Sequence, residues 1–256
     1  MDDYKIIVEQ EHSTVMAHYD IPKKDAEGYQ SEAKLEAAFI KQLQAQGYEY
    51  VKVKDEAGLL VNLRRQLELL NDVSLSETEW MRLLPMISNE QMTIQDKTEM
   101  IQGKGYVLAL KMDNGLTKNI RLVDKHNVYN NRLQVINQYE VEGGAHNKAA
   151  SKREQSDACI NSAECEQARP RANRYDVTIL VNGLPLVHIE LKRRGVDIKE
   201  AFNQINRYLR DSFWAGKAMF DFVQIFVISN GTETKYYSNT TRFSKEQEAT
   251  GGPKKH

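Results

Sequence analysis

The segment RYDVTILVNGLPLVHIEL, residues 174–191, restricts the fold of this chain more than any other. Two apolar runs flank Asn182-Gly183, a pair suited to the left-handed backbone of a tight hairpin turn. Both runs are rich in Val, Ile and Leu, which pack well on a pleated surface, so they read as paired strands. Pro185 stands near the beginning of the second run, where the missing N–H is tolerated. Parity then sets the register. Tyr175, Val177, Ile179 and Val181 are apolar at odd numbers, and so are Val187, Ile189 and Leu191. Directly paired residues share a face, so partners must have the same parity. A strict two-residue turn pairs Val181 with Leu184 and Asp176 with Ile189, which breaks this rule. A three-residue loop or a bulge restores it, so the loop at Asn182-Gly183 is not expected to be a plain two-residue turn. Asp176 then lies across from Glu190 or one diagonal step away, with Cβ atoms about 5–8 Å apart. Lys192 follows on the Glu190 face.

Two carboxylates at that spacing supply hard oxygen ligands for a divalent cation that keeps several waters, as magnesium does. Such a cation polarises a phosphodiester and acidifies a bound water, and a neighbouring lysine offsets the charge that develops on phosphorus. As a string, Asp…Glu-x-Lys recurs by chance in chains of this length, and its ordinary meaning is solvated charge on a strand. The register is what makes it a candidate site.

The rest of the chain alternates helical and extended patterns. Leu35, Phe39 and Leu43 recur every four residues in a helix expected from Ser31 and stopped at Gly47. YEYVKV reads as a strand. Leu59, Leu63, Leu67 and Leu70 line one stripe of a second helix, and Ser74 with Glu77 forms a capping-box pattern for a short helix around Trp80. Strands are expected at 106–112, 119–123 and 132–141. After the hairpin, Asp197 and Glu200 cap a helix with the stripe Ile198, Phe202, Ile205 and Leu209, ended by Gly216. FVQIFVIS (222–229) reads as a central strand covered on both faces, and KYYSN (235–239) as the last strand. Residues 1–28 form a polar, irregular N-terminal extension, 29–241 one domain, 143–173 a flexible insertion poor in large apolar residues, and 242–256 a disordered tail.

Composition excludes some classes. The formal net charge is −1, so a nucleic-acid partner does not follow from overall charge, and any basic surface is local. No apolar run reaches the ~20 residues that span a bilayer, and the acidic N-terminus does not resemble a signal peptide. Two cysteines in a polar segment fit a reducing cytoplasm. Gly103-Lys104-Gly105 does not fit the G-x-x-x-x-G-K-[ST] phosphate loop, so ATP binding is not expected of this chain.

The block NRYDVTILVNGLPLVHIELKRRGV, with IKEAFNQINRYLRDSF, FVQIFVISNGTETKYYSN and the N-terminal YQSEAKLEAAFIKQLQAQGYEYV, resembles the N-terminal nuclease domain of the type I restriction enzyme R subunit, within the PD-(D/E)xK nuclease superfamily. The resemblance is dense from about residue 29 to 241. It implies an α/β fold, a restriction-endonuclease-like core with a mixed β-sheet flanked by helices. It implies a type I site-specific deoxyribonuclease cleaving double-stranded DNA with Mg²⁺ (Mn²⁺ substituting), in a complex with methyltransferase and specificity subunits. ATP belongs to the full-length subunit. The metal ligands it implies are Asp176, Glu190 and the Leu191 carbonyl, with Lys192 as the catalytic lysine. Gln204 and Tyr208 match the family's Gln-x-x-x-Tyr element; four apart, they stack on one helix face and flank its apolar stripe. An acidic residue on the first helix sometimes joins such sites; Glu32 and Glu36 are both candidates, and the ordinary reading of either is a solvated helix face. Tyr175 stands where the superfamily has its proline. The alternative is a catalytically idle module that docks the R subunit onto its partners.

Lys192, Arg193 and Arg194, with Lys199, Arg207 and Arg210, form a candidate phosphate-contacting wall. For Arg207 and Arg210 a solvated helix face fits equally well. Cys159, Cys165 and His146 fit no standard zinc spacing. His188 shares the Glu190 face, and its ordinary reading is half-exposed. Trp80 and Trp214 read as core.

Overall fold

The computed structural model describes residues 5–8, 16–20, 31–89, 91–141, 173–208 and 219–239. The strands are β1 (Lys5–Val8), β2 (Met16–Asp20), β3 (Glu49–Tyr50), β4 (Val107–Lys111), β5 (Thr117–Arg121), β6 (Leu133–Val141), β7 (Asn173–Val181), β8 (Leu184–Leu191), β9 (Ile225–Ser229) and β10 (Glu233–Ser238). The helices are α1 (Glu32–Ala45), α2 (Glu56–Asn71), α3 (Glu77–Ile87), α4 (Ile94–Gln102) and α5 (Ile198–Tyr208). Eight strands form one mixed sheet in the order β1-β2-β10-β9-β8-β7-β6-β3, and β4 and β5 pair separately. β8 and β9 run parallel, as do β3 and β6, and the other neighbours are antiparallel. The expected α/β architecture, a mixed sheet flanked by helices, is the one observed. Among the described residues no helix is long and apolar enough to cross a membrane.

Both faces of the central sheet are buried, which is why its strands read as nearly continuous apolar runs. α1 lays Ile40 and Leu43 on Val135, Val177, Ile189 and Leu191. A larger cluster gathers Leu59, Leu63 and Leu67 of α2 with residues of α3, α4 and α5 and with Ile136, Leu180, Leu184, Phe226 and Ile228. Along a strand the two clusters alternate, as Val135/Ile136 and Ile179/Leu180 do. Tyr175 departs from its expected face. It joins the larger cluster, stacked on Tyr139 at 6.0 Å and tilted against Phe220 at 4.8 Å. Gln138 explains the change. Its φ of 54° interrupts β6 between the pairs Asn137↔Val177 and Tyr139↔Tyr175, and both tyrosines turn together.

The hairpin corrects one expectation. Val181 pairs with Leu184, so Asn182-Gly183 is a plain two-residue turn, with φ of 51° and 83°. The register is repaired one turn later by a bulge at Leu186: Leu180 pairs with Pro185, but Ile179 pairs with Val187 and Val177 with Ile189. Asn182 fastens the turn by donating to the Leu122 carbonyl and accepting from the Arg132 N–H.

Other readings shift by local chemistry. The capping box of α3 is Ser76 with Glu79, not Ser74 with Glu77, because Glu79 reaches back to the Ser76 N–H. YEYVKV contributes only β3, and the run at 222–229 divides into a 3₁₀ turn, Met219–Phe222, and β9. α4 was not apparent in the sequence pattern, although Thr93 and Asp96 form a capping box at its start. Residues 1–28 are not irregular throughout: β2 pairs with β10, whose edge would otherwise leave its N–H and C=O groups open. Trp80 is partly buried against the larger cluster. The insertion read at 143–173, up to Asn173, and the tail at 242–256 lie outside the described residues, as do His146, Cys159, Cys165, Leu209, Arg210, Trp214 and Gly216.

Lys97 of α4 is fully buried and donates to Asp221 at 2.8 Å, pinning α4 to the turn before β9. Removing Lys97 leaves the buried Asp221 carboxylate without its ammonium, so Lys97→Met is expected to cost about 3–5 kcal/mol in urea unfolding. Lys97→Met combined with Asp221→Leu should recover most of that loss. A Cβ on Gly183 would sit 2.6 Å from Leu63 Cα, whereas at Gly47, also at positive φ, nothing lies within 4 Å. Gly183→Ala should therefore cost about 2–4 kcal/mol, backbone strain plus clash, and Gly47→Ala only about 1 kcal/mol.

Candidate active site

The C-terminal end of β8 carries Glu190, Leu191 and Lys192 between β7 and β9. The last paired residues of the hairpin are Val177 and Ile189, so one further step sets Asp176 against Glu190. There Asp176 Oδ2 accepts a 2.9 Å hydrogen bond from the Leu191 N–H, which ties the carboxyl of β7 to the backbone of β8. On the other side the Lys192 N–H donates to the Ser229 carbonyl at 2.8 Å, continuing the parallel pairing with β9. Lys192 Nζ lies 3.3 Å from Glu190 Oε1. The structure thus brings together Asp176, Glu190, Leu191 and Lys192, as their spacing and parity required.

The electrostatics follow from burial. Glu190 is fully buried, Asp176 is partly exposed, and the Lys192 side chain is 12% exposed. Burial pushes the Asp176 carboxyl up to about 7, and the Glu190 charge pushes in the same direction, against the Leu191 N–H. Burial likewise pushes Glu190 up to about 7, against the Lys192 ammonium. The two carboxyls titrate as a pair, so these values describe the dyad rather than either acid alone. One buried ammonium does not offset two desolvated carboxylates, and the site therefore favours an additional positive charge. Glu190 Oε2 is buried without a hydrogen bond. Among the described residues no three His, Cys, Asp or Glu side chains converge on one point. The two carboxylates, with the Leu191 carbonyl, are hard oxygens of the kind that could hold a Mg²⁺ ion.

The first-helix acids separate. Glu32 accepts from the Arg193 N–H at 3.4 Å, and its charge adds to the upward push on Glu190. Glu36 is turned to β6, where the side-chain amides of Asn137 and Gln138 donate to its two oxygens. Glu32 is exposed, as the ordinary reading has it, but lies near enough to act on Glu190, whereas Glu36 is buried and departs from that reading. α5 packs on β8 and β9 through Ile198, Ala201 and Ile205, and carries half-buried Gln204. The side chains of Phe202, Arg207 and Tyr208 lie outside the described residues, so the Gln204–Tyr208 pair is placed by backbone only. Arg193, Arg194 and Lys199 are exposed beside the site.

His188 is not half-exposed; it is fully buried. Its Nε2 is 3.6 Å from Glu190 Oε2, and its Nδ1 is 3.4 Å from Thr178 Oγ1. Burial pulls the imidazole down to about 4, so it is neutral near pH 7. Thr178 and His188 have the parity of Glu190, and that was the only signal available in the sequence. Gln138, set opposite Asp176 in the β6–β7 register, gave no signal.

Known proteins place the chain in a family. The chain matches the family model described as type I restriction enzyme R protein N terminus over residues 29–150 and 158–245. It is 40% identical over 247 residues to the type I restriction enzyme EcoprrI endonuclease subunit of Escherichia coli, an alignment covering 96% of this chain and 70% of that protein. It is 37% identical over 216 residues to the SauMSSORF170P endonuclease subunit of Staphylococcus aureus, covering 82% of this chain and 20% of the relative. A putative MjaIXP endonuclease subunit of Methanocaldococcus jannaschii is 28% identical over 131 residues, half of this chain and a tenth of its own length. The chain therefore spans most of one relative and only a fifth or less of the others. The matched model takes in the site strands, the hairpin and the helices on both sides of the sheet, and the chain belongs to the family of type I restriction enzyme R protein N-termini.

Proposed function

We propose that this chain is the nuclease part of a type I restriction R subunit and carries out Mg²⁺-dependent endonucleolytic cleavage of double-stranded DNA. The observation that carries the reading is the buried Asp176–Glu190 pair with Lys192 at 3.3 Å from Glu190, at the end of a strand flanked on both sides. Asp176, Glu190 and the Leu191 carbonyl would hold the cation. When bound, it supplies Lewis-acid activation of a phosphodiester and of water. Asp176 is held in place by the Leu191 N–H, so its second oxygen has a fixed direction. Glu190 is held by Lys192. Lys192 carries a positive charge to the carboxylate edge, where it offsets negative charge on a bound phosphate. Arg193, Arg194 and Lys199 supply backbone-phosphate contacts that read no sequence. Gln204 and Tyr208 belong to the same reading as supports of the substrate phosphate. Target choice would come from methyltransferase and specificity subunits, and ATP-driven translocation from other parts of a full-length subunit, in the cytoplasm.

In a complete restriction complex, Asp176→Ala or Lys192→Ala in the R subunit should lower DNA cleavage at least ~100-fold while ATPase activity persists. Unimpaired cleavage by both variants would instead favour an idle docking module.

The raised carboxyl pair gives the pH dependence a definite sign. A cation must displace protons held up to about pH 7, so affinity rises with pH. Mn²⁺ titration calorimetry should find binding up to ~100-fold weaker at pH 6 than at pH 8, if two protons are released. The same shift bears on stability without metal. Carboxyls with raised folded values stabilise fully below the ordinary carboxylate range, and that contribution is lost as pH rises through about 7. In a chelator, Asp176→Asn should thus raise the thermal midpoint above the parent's at pH 8, with the difference fading towards pH 4.

A further inference from the structure

Glu190 is approached at both carboxylate oxygens by side chains of its own strand. Lys192 Nζ stands 3.3 Å from Oε1 and His188 Nε2 stands 3.6 Å from Oε2. We propose that His188, itself held by Thr178, is a positioning residue that sets the orientation of the Glu190 carboxylate for a divalent cation; this rests on the reading of Asp176 and Glu190 as cation ligands.

Three observations support it. First, the imidazole plane is confined. Tyr175 meets it edge-on at 5.3 Å and 66°, and Phe226 from another side at 6.4 Å and 73°. A ring so wedged cannot swing its Nε2 away from Glu190 without displacing core aromatics. Second, the other nitrogen is occupied. Thr178 pairs directly with His188 across the hairpin, and its hydroxyl lies 3.4 Å from Nδ1. With that hydroxyl as donor to Nδ1, the N–H of a neutral ring is at Nε2, facing the carboxylate. Third, Oε2 is the buried oxygen of Glu190 that makes no hydrogen bond, so a donor aimed at it has a definite task. The 3.6 Å separation is just beyond hydrogen-bond range, so the contact is poised rather than closed. A cation fixes the carboxylate as an anion, the form an N–H donor favours, and a small rotation of Glu190 completes the contact. A histidine serving only as core filler has no need to point its nitrogen at a ligand carboxylate.

The test is Mn²⁺ binding by the metal-free chain, measured by calorimetry above pH 7 on four proteins: the parent, His188→Leu, His188→Gln and Thr178→Val. Leucine keeps the bulk without a donor, whereas glutamine returns an N–H at the reach of Nε2. Ligating carboxylates that lose such a partner typically lose about 10- to 100-fold in metal affinity. His188→Leu is expected to bind about tenfold or more weakly, His188→Gln within about threefold of the parent, and Thr178→Val several-fold weaker, because the tautomer is no longer set. A His188→Leu chain that binds as tightly as the parent overturns the proposal, and so does a His188→Gln chain as weak as His188→Leu. Should His188→Leu fail to fold, Thr178→Val decides, and unchanged affinity there overturns it. Asp176→Ala serves as the reference: if the parent's Mn²⁺ uptake survives that substitution, the cation-site reading itself fails, whatever the His188 variants do.

Discussion

The bulge at Leu186 is the constraint on which the site depends. The turn before it has no freedom: Gly183 lies against the backbone of α2, too close for a side chain, and Asn182 is bonded to the segments before β6. A two-residue turn in that space fixes Val181 against Leu184. Without correction, every later residue of β8 would face the wrong way, because a one-residue slip exchanges the two faces of a strand. Leu186 absorbs the slip. It is itself held, since its carbonyl accepts from the Gln224 N–H at 2.8 Å. Everything downstream inherits the corrected register: Ile189 and Leu191 against α1, and Glu190 and Lys192 beside Asp176.

Burial then turns that geometry into chemistry. On an open strand face the same residues would be ordinary surface charges. Here both faces of the sheet are covered, so the carboxyls of Asp176 and Glu190 are desolvated and held near neutrality. Such a site resists full ionisation on its own, while the Leu191 N–H and the Lys192 ammonium each hold one carboxyl oxygen in place. The family match covers the strands that carry these residues.

Much of this was legible in the sequence because it rests on periodicity. α1, α2, the hairpin strands and α5 have apolar stripes strong enough to survive any context. The less legible parts rest on single polar contacts. Ser74 and Ser76 offer equally good capping patterns, and only the reach of Glu79 decides between them. Lys97 looks like a surface residue until Asp221 is seen 2.8 Å away, more than a hundred residues later in the chain. Strands β1 and β2 are short, and they join the sheet because β10 offers β2 an edge to pair with and β2 in turn offers one to β1.

The sequence by itself determined which residues could form the site. The parity of Asp176, Glu190 and Lys192 is a property of the chain, and so is the alternation that buries one set of neighbours and leaves the other set to approach a common point. Tertiary structure decided the rest. It chose the bulge over a longer loop because α2 lies against the turn. It turned Glu36 away, because the amides of Asn137 and Gln138 hold it towards β6. It buried His188 beneath Glu190, since the face expected to meet solvent is covered by the larger core. Pattern reports which side of an element a residue occupies, but what covers that side depends on contacts between segments far apart in the chain.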